Sequence, residues 1–366
     1  MKIVHFAKFY PPEYGGIESV TEALAEDHAA AGHDVEVVCF TSGDSRVERR
    51  GSLTLRRVKM QAKKSSQPLA MGYLGTCARA ARDADVVHVH TPNVLASLAV
   101  LRVPRAIRVV IHWHADIEGK GALGYVVRPV ERAMLRRADK IIATTEAYAK
   151  ASPALTPFKD RIEVIPIGIA DQDCVPGEET GAQPFVLFVG RLVPYKGLPV
   201  LLDAIRHVQE DAIFRIVGVG PEEAALKAQA REMGITDRLQ FMGRVDSDRL
   251  QMLFSGAALF CLPSVNRLEA FGVVLLEAMR AGRAIISTDI PGSGVSWVNT
   301  TGAVVPVGDS KALAKALDKL LANPEQAAQM GRAARARFER EFLRELMSTR
   351  FLDLYQRLIE QDKAEV

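Results

Sequence analysis

The chain of 366 residues is 48% hydrophobic and 25% charged, the balance of a globular protein with sizeable cores, which excludes disordered and fibrous classes. No apolar run approaches the roughly 20 residues that a membrane-spanning helix needs. Four scattered cysteines (Cys39, Cys77, Cys174, Cys261) form neither a zinc ribbon nor a disulfide framework, so a reduced cytosolic protein is expected.

The formal charge of +3 hides an asymmetry. Residues 1–45 hold 2 basic and 8 acidic side chains, residues 46–137 hold 18 and 6, and the stretch from Arg46 to Lys64 sets eight Lys/Arg against Glu48 alone. Segregated positive charge suits an anionic partner such as phospholipid, nucleic acid or a phosphorylated substrate; a solvated loop and helix surface would look the same. Few aromatics lie among these cations, which argues against a platform for stacking single-stranded nucleic acid.

Met1 leads straight into the strand-like Lys2-Ile3-Val4-His5-Phe6, which reads as no signal peptide. Short apolar runs then alternate with helical patterns. Strands are expected at Val35–Phe40, Val86–His90, Val109–His112, Ile141–Thr144 and Val164–Pro166, with helices at Val20–Ala31 and Arg128–Arg137 between them. Continuous apolar runs of this length suit parallel strands buried on both faces. Residues 171–184 are polar and turn-rich, and read as a linker. A second series follows: strands at Phe185–Val189, Phe214–Val217, Leu239–Met242, Ala258–Leu262, Ala284–Thr288 and Gly302–Val305, a helix at Gly197–Glu210, and helical pattern from Ser310 to the end. Two doubly wound α/β domains enclosing a cleft are expected. In such sheets ligands bind beyond the carboxyl ends of strands, and several special residues stand there.

After the first strand, Gly15-Gly16 open a helix, where backbone N–H groups can approach an anion; an ordinary turn would also use them. After Val189 come Arg191 and Lys196, a fork of donors and a compact charge suited to a diphosphate, or two solvated cations. Gly218-x-Gly220 resembles half of a dinucleotide fingerprint, but Glu223 stands where its third glycine belongs, so it reads as a tight turn beside a ligand. Glu269 and Glu277 lie eight residues apart around Phe271-Gly272-Val273-Val274. If a helix starts near Gly272, free N–H groups at 271–274 face an anion, Glu269 stands at its mouth, and Glu277 can accept from a diol such as ribose. The alternative makes Glu269 a dipole-favoured surface charge and Glu277 a surface residue.

Two His-x-His pairs end strands, His88/His90 and His112/His114. They could ligate zinc, though no carboxylate or cysteine completes a set; core histidines, or one imidazole donating in the cleft, are the other readings. Asp83/Asp85 and Asp171/Asp173 could bind a metal that bridges a diphosphate, but they stand at a strand's amino end and in the linker, which favours structural roles.

Taken together, these residues resemble the retaining glycosyltransferases of family four, with the two-domain GT-B fold. The resemblance covers nearly the whole chain: Pro11-Pro12-x-x-Gly15-Gly16, His112-Trp113-His114, Val164-Ile165-Pro166-Ile167-Gly168, Gly190-Arg191-x4-Lys196-Gly197, Gly218-x-Gly220-Pro221, Phe241-x-Gly243 and Glu269-x7-Glu277. It departs from the family at Ala270, where a glycine is usual, and at Ala170, where an Asp usually follows.

The resemblance implies that Arg191, Lys196 and the N–H groups of Phe271, Gly272, Val273 and Val274 hold the donor's diphosphate. It places Glu277 on the ribose, Glu269 at the donor sugar and Val245 near the base. His114 would donate to the donor sugar or lie near the acceptor, and Gly15 and Gly16 would lie against the diphosphate or acceptor. It also implies domains of 1–170 plus about 346–366 and of 185–345, the last helix crossing back to the first domain. The expected reaction is retaining transfer of a hexose, needing neither cofactor nor metal. The local run Pro291-Gly292-Ser293-Gly294 looks like that of mannosyl- and rhamnosyltransferases of surface polysaccharide assembly, which implies GDP-mannose or a GDP-deoxymannose as donor; a UDP-hexose, a sugar-nucleotide epimerase or dehydrogenase, and a non-catalytic scaffold are the alternatives. The expected partners are the nucleotide sugar, a glycan or lipid-diphosphate-linked acceptor and, through residues 46–137, an anionic membrane surface, with no nucleic acid. The expected location is cytoplasmic, peripheral on the inner membrane face at most.

Overall fold

The computed structural model describes residues 1–13, 15–64, 67–116, 121–172, 175–177 and 183–364. It divides into two compact units, Met1–Gly168 with Arg344–Val366, and Ile169–Leu343.

The first unit is an eight-stranded sheet ordered β10-β9-β8-β7-β1-β2-β4-β3. Its strands are β1 (Lys2–Phe6), β2 (Asp34–Thr41), β3 (Arg46–Arg50), β4 (Leu53–Lys59), β7 (Val86–Thr91), β8 (Arg108–Trp113), β9 (Lys140–Ala143) and β10 (Ile162–Val164); β5 (Ala62–Lys64) and β6 (Gln67–Leu69) form a separate hairpin. All neighbours are parallel except β3 on β4. Every residue of β7 is buried, as are all but the first of β1, β2 and β8, which is why these segments read as largely apolar runs. The chain runs outward from β1 in both directions, so the carboxyl ends of β1 and β7 form the topological switch point. The helix Gly16–Ala30 starts directly beyond β1, and the helix Arg344–Ala364 packs against it.

The second unit is a six-stranded parallel sheet ordered β13-β12-β11-β14-β15-β16: β11 (Phe185–Val189), β12 (Ile213–Val217), β13 (Leu239–Gly243), β14 (Leu259–Leu262), β15 (Ala284–Asp289) and β16 (Ala303–Pro306). Its switch point lies between β11 and β14.

Several expectations need correction. The basic stretch after Arg46 is not loop or helix but an edge strand and its partner, and most of its charge is matched. Glu48 pairs with Arg46, Arg50 and Arg57, Glu36 with Arg56, and Asp44 with Lys59. Arg57 is buried, and its guanidinium also donates to the carbonyls of Tyr10 (3.1 Å) and Pro11 (2.6 Å), fixing the loop before Gly15. The helix expected to reach Glu210 ends at Ile205, and the one expected from Arg128 starts at Gly121. The start of the proposed linker is already second-unit structure. Ile169 N–H donates to Phe342 O (3.0 Å), Arg280 to Ala170 O (3.0 Å), and Arg335 grips Asp171 at 2.7 Å through each of two nitrogens. The units therefore divide at 168/169 and 343/344 rather than at 170 and 345. Asp173 and Cys174 lie outside the described residues. Asp83 pairs with Lys2, and Asp85 accepts from the Lys2 backbone N–H, both structural roles.

Candidate functional site

Beyond β11 and β14 two loops are stitched together. Val265 N–H donates to Tyr195 O (2.8 Å). Gly197 has φ +69°, and a Cβ there would stand 2.0 Å from the Pro263 carbonyl oxygen, so only glycine allows this approach. The stitching brings Lys196, buried, to 2.5 Å from the carboxylate of buried Glu269, 73 residues away, which also accepts from Ser264 Oγ at 2.9 Å. The Ser293 hydroxyl holds the Glu269 backbone carbonyl. Burial raises the Tyr195 hydroxyl above its ordinary range, and the charges of Lys196, Glu269 and Arg191 all act on it, so the four share one neighbourhood. Arg191 is exposed and makes no ion pair among the described residues.

Glu269 leads into Gly272, left-handed at φ 79°, which caps the helix Val273–Arg280 without any side-chain cap. Among the described residues the N–H groups of Phe271, Gly272, Val273 and Val274 have no backbone partner. A helix terminus of this kind is suited to an anion, and here it stands beside a lysine. Glu277, within that helix, is half-buried, and its carboxylate takes no hydrogen bond among the described residues; burial pushes its carboxyl up to about 7, which Arg280 only partly offsets. Val245 is half-buried just beyond β13. The glycines read as a tight turn beside a ligand pack closely on the loop that carries Arg191. A Cβ at Gly218 would meet Gly190 O at 2.0 Å, and one at Gly220 would meet Leu192 O at 2.2 Å.

In the first unit, Gly15 and Gly16 are exposed at the start of the helix Gly16–Ala30. Strand register assembles a histidine array that the sequence only half disclosed. His5 pairs with His88 across β1 and β7, and His90 with His112 across β7 and β8, with His114 one step beyond β8. All five are buried, and His28 packs in from the first helix. His5 Nδ1 lies 3.1 Å from His90 Nε2, and His90 Nδ1 lies 3.2 Å from His114 Nε2. Tyr355 of the last helix bonds His88 Nδ1, and Phe351 covers His88 and His112 at 5.0 Å. Two trios, His5/His88/His90 and His90/His112/His114, each bring ligand atoms within 4.8 Å, and no carboxylate or cysteine joins either among the described residues.

Burial pulls all six imidazoles well below their ordinary range, His5 and His114 to about 3 and His28 to about 4. They are therefore neutral in the fold but titrate near 6.5 once unfolded. Below pH 6.5 the unfolded chain binds the extra protons, so stability is lost as pH falls from 6.5 toward 3, by up to about 1.4 kcal/mol per pH unit for each histidine. The first unit is expected to unfold in mild acid, well before the second. Melting curves from pH 8 to 5 with probes on each unit check this; equal sensitivity of both would count against it.

Residues 175–337 match the family described as Glycosyl transferases group 1, and residues 15–168 match the Glycosyl transferase 4-like domain. The chain is 31% identical over 376 residues to O-antigen chain mannosyltransferase C of Escherichia coli, covering 98% of this chain and 99% of that protein. It is 33% identical over 357 residues to D-rhamnosyltransferase WbpZ of Pseudomonas aeruginosa, covering 93% and 92%. Sucrose-phosphate synthase from Thermosynechococcus elongatus shares the fold, with TM-score 0.80, 23% identity and coverage of 98% and 99%. The chain belongs to the group 1 glycosyl transferases. It has the GT-B fold of two Rossmann-like domains, and it is a glycosyltransferase; the epimerase, dehydrogenase and scaffold alternatives are set aside. No described helix is long and apolar enough to cross a membrane.

Proposed function

We propose that the protein transfers a hexose, with retention, from GDP-mannose or a GDP-deoxymannose to a glycan or lipid-linked sugar acceptor in surface polysaccharide assembly. The observation that carries this reading is the buried Lys196–Glu269 pair at the mouth of the helix Val273–Arg280. Glycosyl transfer expels a diphosphate while positive charge grows at the sugar. Lys196, Arg191 and the N–H groups of 271–274 stabilise the first, and Glu269 stabilises the second. No metal is needed in this scheme. Glu269 serves on the leaving-group side rather than as a nucleophile, so the acceptor attacks from the face the diphosphate leaves, and the diphosphate takes its proton. His114 donates to the sugar, Gly15 and Gly16 lie against the diphosphate or acceptor, and Val245 contacts the base. The mannosyl and rhamnosyl activities named for the two relatives support the donor choice; a UDP-hexose is the alternative.

Nucleotide release from a panel of GDP- and UDP-sugars tests the donor. An inverted anomeric product by NMR would overturn retention, and activity that appears only when divalent metal is restored would overturn the metal-free scheme. Peripheral attachment through residues 46–137 is part of the proposal. Salt-sensitive co-sedimentation with anionic liposomes is its test, and the pairing of Arg46, Arg50, Arg56, Arg57 and Lys59 with carboxylates predicts a weak effect.

Glu277 makes a separate prediction. As a ribose acceptor it works ionised, and its carboxyl titrates at about 7. Donor Kd is expected to rise as pH falls from 8 to 6 and to become pH-independent, though weaker, in Glu277→Gln. A flat profile in the parent protein would remove the ribose role.

A further inference from the structure

We infer that His90 and, behind it, His5 are positioning residues that fix the proton of His114 on Nδ1, so that His114 presents a neutral N–H donor to the substrate. The inference rests on the proposed contact of His114 with the sugar, and it extends that role to two residues that touch no substrate.

A neutral imidazole carries one N–H and one lone pair. The contacts His5 Nδ1 to His90 Nε2 (3.1 Å) and His90 Nδ1 to His114 Nε2 (3.2 Å) therefore form a chain with only two possible directions. In one, each ring donates toward His114, leaving His114 with its proton on Nδ1. In the other, each donates toward His5, leaving His5 with its proton on Nε2. That nitrogen is buried and has no partner. The second direction thus strands an N–H donor inside the unit, whereas the first strands only a lone pair, and orphaned buried N–H groups are the rarer defect. The first direction is the one adopted.

Burial keeps all three rings neutral, so the chain delivers a directed hydrogen-bond donor and not a general acid. Both nitrogens of His90 are spent in ring-to-ring bonds, and a metal on either trio would have to break one. The chain is held on the face covered by the last helix, where Tyr355 bonds His88 and the His88 ring stacks on His90 with centroids 4.4 Å apart.

The test compares His90→Phe, which keeps a ring but ends the chain, with His90→Asn, whose amide N–H can replace the Nδ1 donor. His90→Phe is expected to lower kcat roughly tenfold to a hundredfold while donor KM changes less than about threefold and the melting temperature stays near that of the parent. His90→Asn is expected to recover most of the loss. In the parent protein, imidazole nitrogen NMR should show His90 and His114 protonated on Nδ1. A His114 proton on Nε2, one equivalent of bound zinc, or His90→Phe with the kcat of the parent would each overturn the inference. The reading beneath it is judged apart by His114→Ala. If His114→Ala is fully active, the sugar contact fails and takes the inference with it. If His114→Ala is inactive but His90→Phe is not impaired, the contact stands and the inference alone fails.

Discussion

Lys196→Ala is expected to cut kcat/KM by roughly 10²–10³-fold or more, the loss typical of a donor aimed at developing negative charge. It is also expected to cost the second unit roughly 3–5 kcal/mol, because it leaves the buried carboxylate of Glu269 with Ser264 alone. The two losses have different origins, and a second variant separates them. Lys196→Ala with Glu269→Ala removes both charges, so most of the stability should return while activity stays lost. Denaturant unfolding followed at Trp297, in the second unit, measures the first, and nucleotide release measures the other. If the double variant is no more stable than the single one, the pair is not a coupled buried unit. If Lys196→Ala turns over normally, the diphosphate is held elsewhere.

Deleting residues 344–366 is expected to abolish folding of the first unit. Met347, Phe351, Leu354, Tyr355 and Leu358 are all at most 5% exposed. At about 1.5–3 kcal/mol for each fully buried side chain, their loss rivals the whole stability of an ordinary domain, about 5–15 kcal/mol. The deletion also removes Arg344 from Asp27 and Glu26 and the Ser348 carbonyl from His28, and it uncovers the histidine array to water. Hydrogen exchange on the truncated protein should show protection in Ile169–Leu343 and little in Met1–Gly168. A truncated protein with normal protection in both would show that the returning helix is an accessory.

The apolar strands were legible because burial on both faces leaves an unbroken run such as Val109–Ile111. The edge strand Arg46-Val47-Glu48-Arg49-Arg50 was not. Four of its five side chains are charged, and it becomes a strand through antiparallel pairing with Leu53–Lys59 and the sharing of Glu48 among three arginines. Glu269 and Glu277 could be found because their spacing is local. The bond from Lys196 to Glu269 could not, since it depends on two loops meeting at a switch point. The two His-x-His pairs were visible as spellings, yet the array needed the register of three strands. His5 was hidden as a single letter in an apolar run, and Tyr355 lies 267 residues from His88. Ser264 and Tyr195 carried no signal in the sequence, and Ser293, though part of the run 291–294, gave no sign of its bond to the Glu269 carbonyl.

The way the chain closes on itself sets an order for its biosynthesis. The second unit is one continuous stretch, Ile169–Leu343, but the first needs both Met1–Gly168 and Arg344–Val366. On the ribosome the usual rule that the earlier domain folds first is therefore reversed: Met1–Gly168 must wait for the helix Arg344–Ala364, while Ile169–Leu343 is made in full ahead of it. Until Arg344–Ala364 has been made, the histidine face that it buries in the first unit lacks its cover.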